Sequence, residues 1–420
     1  MSQKVFIGMA GFGTVGQGVY RVLERNAEVI CHRCGKSPEI KAIVCRNTGR
    51  ARNALPKQIL VSDDPMVIAK DPDISIAIEV MGGIEPARSF ILEALKNGKD
   101  VVTANKALLA THGKEIFEAA RSYGRSVFFE AAVAGGIPII KALREGLAAN
   151  QILKVQGILN GTCNYILSSM HESPVSFEKA LTTAQKLGFA EADPTFDIEG
   201  LDTAHKLTIL TSLAFGVPLT FEPKLVSGIT SVTATDIAIV KKLGFVIKLL
   251  AQTELKAQCI YCRVAPTLLA QSSLLAQVSG AMNAVEVDSN AVGKTFYYGA
   301  GAGGDATASA VLADVIDSLR GHRSQFVSGP SKEALTFTAL SEQTSRFYVR
   351  VQAKTIEQYS KEIEAAFTQN EIEADKVYTD EQNAVYFTLA CKKGELDEAL
   401  EQISQLNSAE ITISTFFIAD

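Results

Sequence analysis

Over the first third of the chain, short uninterrupted apolar runs alternate with amphipathic stretches. Lys4 to Gly8, Ile40 to Cys45, Ile74 to Val80, Asp100 to Thr103 and Ser126 to Glu130 read as buried strands, and Gly16 to Arg25, Pro86 to Asn97 and Gly113 to Tyr123 as helices. Asn26 to Pro38 reads as a long loop. Strands alternating with helices predict an α/β fold with a parallel, doubly wound sheet. After about residue 130 the alternation changes. Gly135-Gly136-Ile137-Pro138 reads as a turn into a mixed α+β region reaching Tyr298, in which Leu207 to Phe221 is a buried helix. A second glycine cluster, Gly299 to Gly304, precedes a helical pattern from Ala306 to Leu319, expected to return to the first domain. From Phe347 the order is strand, helix, strand, strand, helix, strand, a small βαββαβ module. The expected organisation is 1–130 with a returning segment 303–340, then 131–302, then 345–420.

Between the first strand and the first helix stands Gly11-Phe12-Gly13-Thr14-Val15-Gly16, a G-x-G-x-x-G motif in the context that gives it meaning. Its glycines permit a tight turn, close approach of a pyrophosphate and tight helix packing. This makes 1–130 a Rossmann-type dinucleotide-binding domain. In such domains an acid at the end of the second strand bonds the ribose 2′-hydroxyl, whereas arginine favours a 2′-phosphate. Here Arg46 ends the strand, with Arg50 and Arg52 close behind. NADP is therefore favoured, with NAD as the alternative.

Composition narrows the remaining classes. Hydrophobic residues make up 47% and charged residues 21%, and 41 basic against 46 acidic residues leave a charge of −5, which gives no footprint for nucleic acid. No run reaches the ~18 apolar residues a membrane span needs, and the opening segment lacks a signal layout, so a cytoplasmic protein is expected. Seven cysteines, scattered through apolar segments, fit reduced thiols. The pairs Cys31/Cys34 and Cys259/Cys262 have metal-like spacing, but the second lies in a strand-like run where residues three apart face opposite sides.

The densest polar stretch runs from Glu191 through Asp193, Asp197, Glu199 and Asp202 to Lys206, beside an apolar helix. Asp202 and Lys206 are four apart and share a helix face, worth only ~0.2–0.5 kcal/mol as a surface pair. The alternative to a surface pair is a proton donor or acceptor, because the apolar surroundings desolvate the ammonium and the helix N-terminus disfavours positive charge. The acids do not follow EF-hand spacing. Lys106 follows Thr103 at the carboxyl end of a strand, where ligands of open α/β sheets bind, though a solvent-exposed helix start is the bland alternative. The five histidines show no metal-ligand spacing.

With these residues assembled, the chain resembles the homoserine dehydrogenases over residues 4 to 330. The most specific stretch runs from Ala184 through Gly188-Phe189-Ala190, Asp193-Pro194, Asp197-Ile198 and Gly200 to Asp202 and Lys206. Gly11 to Gly16, Val102 to Lys106, Glu130 through Ile137-Pro138, Asn160 to Tyr165 and Gly299 to Thr307 support it. The resemblance implies reversible NAD(P)H-dependent reduction of L-aspartate 4-semialdehyde to L-homoserine, a step towards threonine and methionine. It implies Lys206 as proton donor, Lys106 as helper at the same oxygen and Asp202 as orienting group. Glu191, Asp197 and Asp202 would serve the substrate, and Thr103, Lys106 and Gly303 the cofactor. It also implies a sodium ion at Glu130, Val133, Gly135 and Ile137. Residues 131–302 would carry substrate binding and dimerisation, in a homodimer or homotetramer.

The C-terminal module resembles an ACT domain, but its expected Asp-x-Pro-Gly turn is replaced by Ala353-Lys354-Thr355-Ile356-Glu357. Assembly is therefore expected of it rather than threonine sensing. Two alternatives remain at this stage: another NADP-dependent reductase of amino-acid metabolism, and a non-catalytic NADP-binding sensor.

Overall fold

In a computed structural model that describes residues 3–219, 226–323, 335–407 and 410–419, the chain opens with β1 (Gln3–Ala10), α1 (Thr14–Arg25), α2 (Ala27–Cys34), β2 (Lys36–Val44), α3 (Thr48–Ala54), β3 (Leu60–Ser62) and α4 (Met66–Ala69). β4 (Ile74–Glu79), α5 (Ala87–Lys96), β5 (Asp100–Thr103), α6 (Lys106–Ser122), β6 (Val127–Phe128) and α7 (Ile139–Lys141) follow. Next come β7 (Ile152–Ile158), α8 (Gly161–Glu172), α9 (Phe177–Lys186), α10 (Thr195–Ile198), α11 (Leu201–Phe215), α12 (Ala234–Lys242), β8 (Phe245–Lys256) and β9 (Cys259–Ala270). The remainder is β10 (Met282–Ser289), β11 (Gly293–Ala300), α13 (Gly304–Leu319), β12 (Thr336–Phe337), β13 (Thr344–Gln352), α14 (Ser360–Gln369), β14 (Ala374–Thr379), β15 (Asn383–Thr388), β16 (Cys391–Lys392), α15 (Lys393–Leu406) and β17 (Thr412–Ile418).

These elements form two compact units. The first contains Met1–Ile152, His205–Phe221 and Ser289–Lys332, and the second contains Leu153–Ala204, Glu222–Asp288 and Glu333–Asp420.

The first unit holds a six-stranded sheet in the order β3-β2-β1-β4-β5-β6, with every pairing parallel. Buried on both faces, its strands carry the continuous apolar runs visible in the sequence, and Ile7, Met9, Ile43, Ile76 and Ile78 are almost inaccessible. The returning helix is α13, whose Ala308, Val311, Leu312 and Val315 join the same core. It lies so close to α1 that a Cβ on Gly18 would stand 2.4 Å from the Gly304 carbonyl oxygen. Of the expected returning segment, residues 324–334 lie outside the described residues. Asn26 to Pro38 is not the loop expected: it forms α2 and the start of β2, with Gly35 (φ 71°) closing the helix and Ile30 anchoring it. The expected Leu207–Phe221 helix is α11, which ends at Phe215 before Gly216 (φ 67°); residues 220 and 221 lie outside the described residues.

In the second unit the strands run in the order β10-β7-β8-β9-β17-β13-β15-β14. The C-terminal elements follow the predicted βαββαβ order with one addition, the two-residue strand β16 that pairs with β13, and their sheet is not closed off. Phe417 and Ile418 of β17 pair in parallel with Thr267 and Leu268 of β9, which covers an edge that would otherwise expose unpaired backbone groups. A buried polar network adds to this junction. Arg350 of β13 donates to both carboxylate oxygens of Asp236 on α12, at 2.7 and 3.2 Å, and the Tyr348 hydroxyl donates at 2.9 Å.

Lys248 of β8 is a second buried charge. Its ammonium donates to Asn164 Oδ1 (2.9 Å), Ser168 Oγ (3.2 Å) and the Val278 carbonyl (2.7 Å). Burial nevertheless pushes it down to about 8. Between pH 8 and its ordinary value of 10.5 the unfolded chain binds more protons than the folded one, so stability rises with pH there. Denaturant titrations from pH 8 to 10 should show this rise in the wild type and a flatter profile in Lys248→Met.

Candidate functional site

The first candidate region lies at the carboxyl ends of β1, β2 and β4. A cavity of about 1180 Å³ is walled by Gly11, Phe12, Gly13 and Thr14 on one side, by Cys45, Arg46, Asn47 and Arg50 on another, and by Val80 to Gly83. The glycines divide the work as the motif requires. Gly11 sits at φ 113° with its absent Cβ 2.4 Å from the Val80 carbonyl oxygen, Gly13 faces open space, and a Cβ on Gly16 would strike the Gly11 carbonyl oxygen at 2.2 Å. Val15 and Gly16 are not in the cavity wall; Val15 packs on the core and Gly16 on the Gly11 backbone. Arg46 and Arg50 line the wall, and Asn47 caps α3 through the Arg50 N–H. Arg52 is turned away and donates to the carbonyls of Ile59 and Val61. Asp63 also lines the wall, since Cys45 N–H donates to the Ser62 carbonyl at 2.9 Å and draws the two strand ends together.

A buried carboxylate organises the wall at Val80 to Gly83. Glu79, fully inaccessible at the end of β4, accepts from Met81 N–H (2.8 Å), Gly82 N–H (3.3 Å) and the Thr103 hydroxyl (2.6 Å). Burial raises its proton affinity, against the pull of these donors. Thr103, expected at the cofactor, thus has its hydroxyl on Glu79 and is not part of the wall. Asn105 donates to the Gly83 carbonyl at 2.7 Å and caps α6 through Leu108 N–H at 3.1 Å, so one side chain joins the cavity wall to the start of α6. Lys106 is the first residue of that helix and half-buried. Glu79 is not among the residues singled out from the sequence; its signal is an acid ending an otherwise apolar strand before Gly82-Gly83.

The second candidate region is built on α8, α10 and α11. Asp202 is 5% exposed in the first turn of α11, and Lys206 is 9% exposed one turn later on the same helix. Thr203, Leu207, Ile209 and Leu210 around them are buried as well, so the lysine does not lie on a solvated helix face. Asp197 sits on α10, and Asn160 reaches both acids: its Nδ2 donates to Asp197 Oδ1 at 2.7 Å and to Asp202 Oδ2 at 2.9 Å. The Thr162 hydroxyl stands 2.6 Å from the Phe189 carbonyl and 3.2 Å from Asp197 Oδ2, and the Cys163 thiol donates to the Asp197 carbonyl. Glu191 is exposed, and its carbonyl accepts from Gln185. Gly303 (φ 116°) precedes α13.

The turn expected to hold sodium is buried, with Glu130, Val133, Ala134 and Ile137 each at most 2% exposed. Ala134 (φ 56°) and Gly135 (φ 50°) are successive left-handed residues. The Glu130 carboxylate accepts the N–H groups of Ile140 and Lys141 at 2.9 Å, and its own N–H donates to Asp314 Oδ2 at 2.8 Å. Burial raises the proton affinity of both acids, and their mutual repulsion adds to it for Asp314. The Ile137 carbonyl accepts from Ile139, while among the described residues no donor reaches the carbonyls of Val133 or Gly135.

A parallel sheet in this strand order, with a glycine turn walling a cavity at its carboxyl end, is the architecture of a dinucleotide-binding domain of the doubly wound class. The comparisons narrow the class. The family description "Homoserine dehydrogenase, NAD binding domain" matches residues 11–130, and "Homoserine dehydrogenase" matches residues 138–316. A homoserine dehydrogenase of Neisseria gonorrhoeae is 48% identical over 84% of this chain and 82% of its own. A homoserine dehydrogenase crystal structure from Thiobacillus denitrificans superposes with a TM-score of 0.94 at 41% identity, covering all of both chains. A hyperthermophilic archaeal homoserine dehydrogenase in complex with NADPH is 26% identical, with a TM-score of 0.63 over 75% of this chain and 97% of its own. The chain belongs to the homoserine dehydrogenase family of NAD(P)-dependent oxidoreductases.

Proposed function

We propose that the protein reduces L-aspartate 4-semialdehyde reversibly to L-homoserine, with NADP(H) as its preferred cofactor. The observation that carries this is the coincidence of family membership with a glycine-walled cavity that also presents Arg46 and Arg50. The nicotinamide supplies the hydride when bound. Lys206 gives its proton to the developing alkoxide, and Lys106 stabilises the same oxygen, a charge that exists only as the transition state is approached. Asp202 orients Lys206 from one turn away, Asp197 supports that loop, and Glu191 meets the substrate's ammonium. Gly303 lies against the cofactor.

A sodium ion fits the turn at residues 130–137, because buried carbonyls that meet no donor among the described residues, at Val133 and Gly135, suit a hard monovalent cation. Glu130, Val133, Gly135 and Ile137 would hold it, the last three through their backbone carbonyls. The ion would fix the turn and enter no chemical step. Activity and melting temperature unchanged when sodium is exchanged for a tetraalkylammonium ion would remove it from the account.

Oxidation of L-homoserine with NADP, against a panel of other amino-acid-derived alcohols, tests the substrate. Activity only on another panel member would move the protein to a different reductase chemistry. For the cofactor, Arg46→Ala should weaken NADP binding by about tenfold or more while leaving NAD little changed, the loss expected for one charge-assisted contact. Fluorescence titration with NADPH and NADH checks it, and equal losses would mean that Arg46 does not read the 2′-phosphate.

A further inference from the structure

The segment Asn160-Gly161-Thr162-Cys163 connects β7 to α8, and its first residue does more than begin a helix. Asn160 is the N-cap of α8: its backbone is extended (φ −126°, ψ 115°) and its Oδ1 accepts Cys163 N–H at 2.8 Å. Capping alone is served equally well by serine or aspartate. What only asparagine adds is a pair of donors in the same plane as the capping oxygen. Once the oxygen is committed to the helix, both N–H bonds must point away from it, and they meet Asp197 at 2.7 Å and Asp202 at 2.9 Å. Asn160 and Asp202 are each 5% exposed, so water does not substitute readily for either bond.

Its neighbours reinforce the same loop. Cys163 donates to the Asp197 carbonyl, and the Thr162 hydroxyl stands beside the Asp197 carboxylate and the Phe189 carbonyl. Gly161 could not carry a side chain, since a Cβ there would lie 2.6 Å from the Ala281 carbonyl oxygen. Between the two acids the chain turns through Gly200 (φ 81°) from α10 into α11. One amide therefore ties both ends of that turn to the start of α8.

We propose that Asn160 is a positioning residue for the reaction, its amide holding Asp197 and Asp202 in the orientation from which Asp202 directs Lys206. This rests on the reading of Asp202 and Lys206 given above. Asn160 touches neither substrate nor cofactor in this role.

The test separates capping from clamping. Asn160→Ser keeps a capping oxygen and removes both amide N–H donors, leaving one hydroxyl on a shorter side chain that cannot span the two acids. It should leave the fold and the Kd for NADPH intact, lower the melting temperature by a few degrees because two buried carboxylates lose a donor, and lower kcat for semialdehyde reduction by about a hundredfold, the loss that small misplacement of catalytic groups produces. Asn160→Asp also keeps the cap but sets an acceptor against two carboxylates, and should lose at least as much turnover. In an Asp202→Ala background, Asn160→Ser should cost little further. Wild-type kcat in Asn160→Ser, alongside impaired Asp202→Ala, overturns the role of Asn160. Wild-type kcat in Asp202→Ala instead overturns the reading of Asp202, and the proposal falls with it.

Discussion

Replacing Lys206 by alanine is expected to lower turnover in semialdehyde reduction by about 10²- to 10⁴-fold, the range for loss of a general acid. The expectation comes from the position of the side chain. Lys206 is 9% exposed on a helix whose surrounding residues are buried, with a carboxylate one turn before it. A lysine kept there only for stability would be poorly placed, because a buried ammonium costs more than an apolar side chain of the same volume. In reduction of an aldehyde the negative charge appears on oxygen only as hydride arrives, so an ammonium at that oxygen lowers the barrier more than it tightens substrate binding. The loss should fall on kcat, with the Kd for NADPH unchanged by fluorescence titration. Near-wild-type turnover would reassign the proton donor, and Lys106 would be the next candidate.

The largest expected loss of stability follows from Asp236→Ala. Asp236 is fully buried, and the guanidinium of Arg350, also buried, depends on it for charge compensation. Removing one partner of such a pair strands the other, at a cost of about 3–5 kcal/mol. Arg350 would keep its bonds to Gln352, Asn383 and Ser414, which places the loss towards the lower end. The same substitution removes the capping box of α12, in which Thr233 and Asp236 exchange hydrogen bonds. Denaturant unfolding should show the loss, and the paired variant Asp236→Leu with Arg350→Met should recover part of it, since no charge is then orphaned, although the Tyr348 hydroxyl still lacks its acceptor and α12 its capping box. A single-variant loss below about 1 kcal/mol would mean that the pair is already compensated by its other partners.

Much of the dinucleotide half was readable in the chain because its signals are local. Continuous apolar strands, the Gly11 to Gly16 turn and an arginine at the end of β2 each depend on neighbours a few residues away. The helix α2 escaped because only Ile30 of its eight residues is buried, so it carries no clear apolar stripe. The family resemblance implies Thr103 at the cofactor, whereas the structure turns its hydroxyl onto Glu79, a residue 24 positions away. The acid cluster was visible as a run of charges from Glu191 to Lys206. Its organiser was not, because Asn160 lies 37 and 42 residues before the acids it holds. The joining of β17 to β9 was hidden for the same reason: edge pairing between distant strands leaves no periodicity to read.

The most direct measurement follows NADPH consumption by the purified protein on addition of L-aspartate 4-semialdehyde, with the product identified by chromatography. The account predicts rapid oxidation of NADPH, one L-homoserine formed per NADPH consumed, and near-abolition of both in Lys206→Ala. Tight NADPH binding without consumption on this substrate would contradict it, leaving a dinucleotide-binding half whose partner region serves some other chemistry.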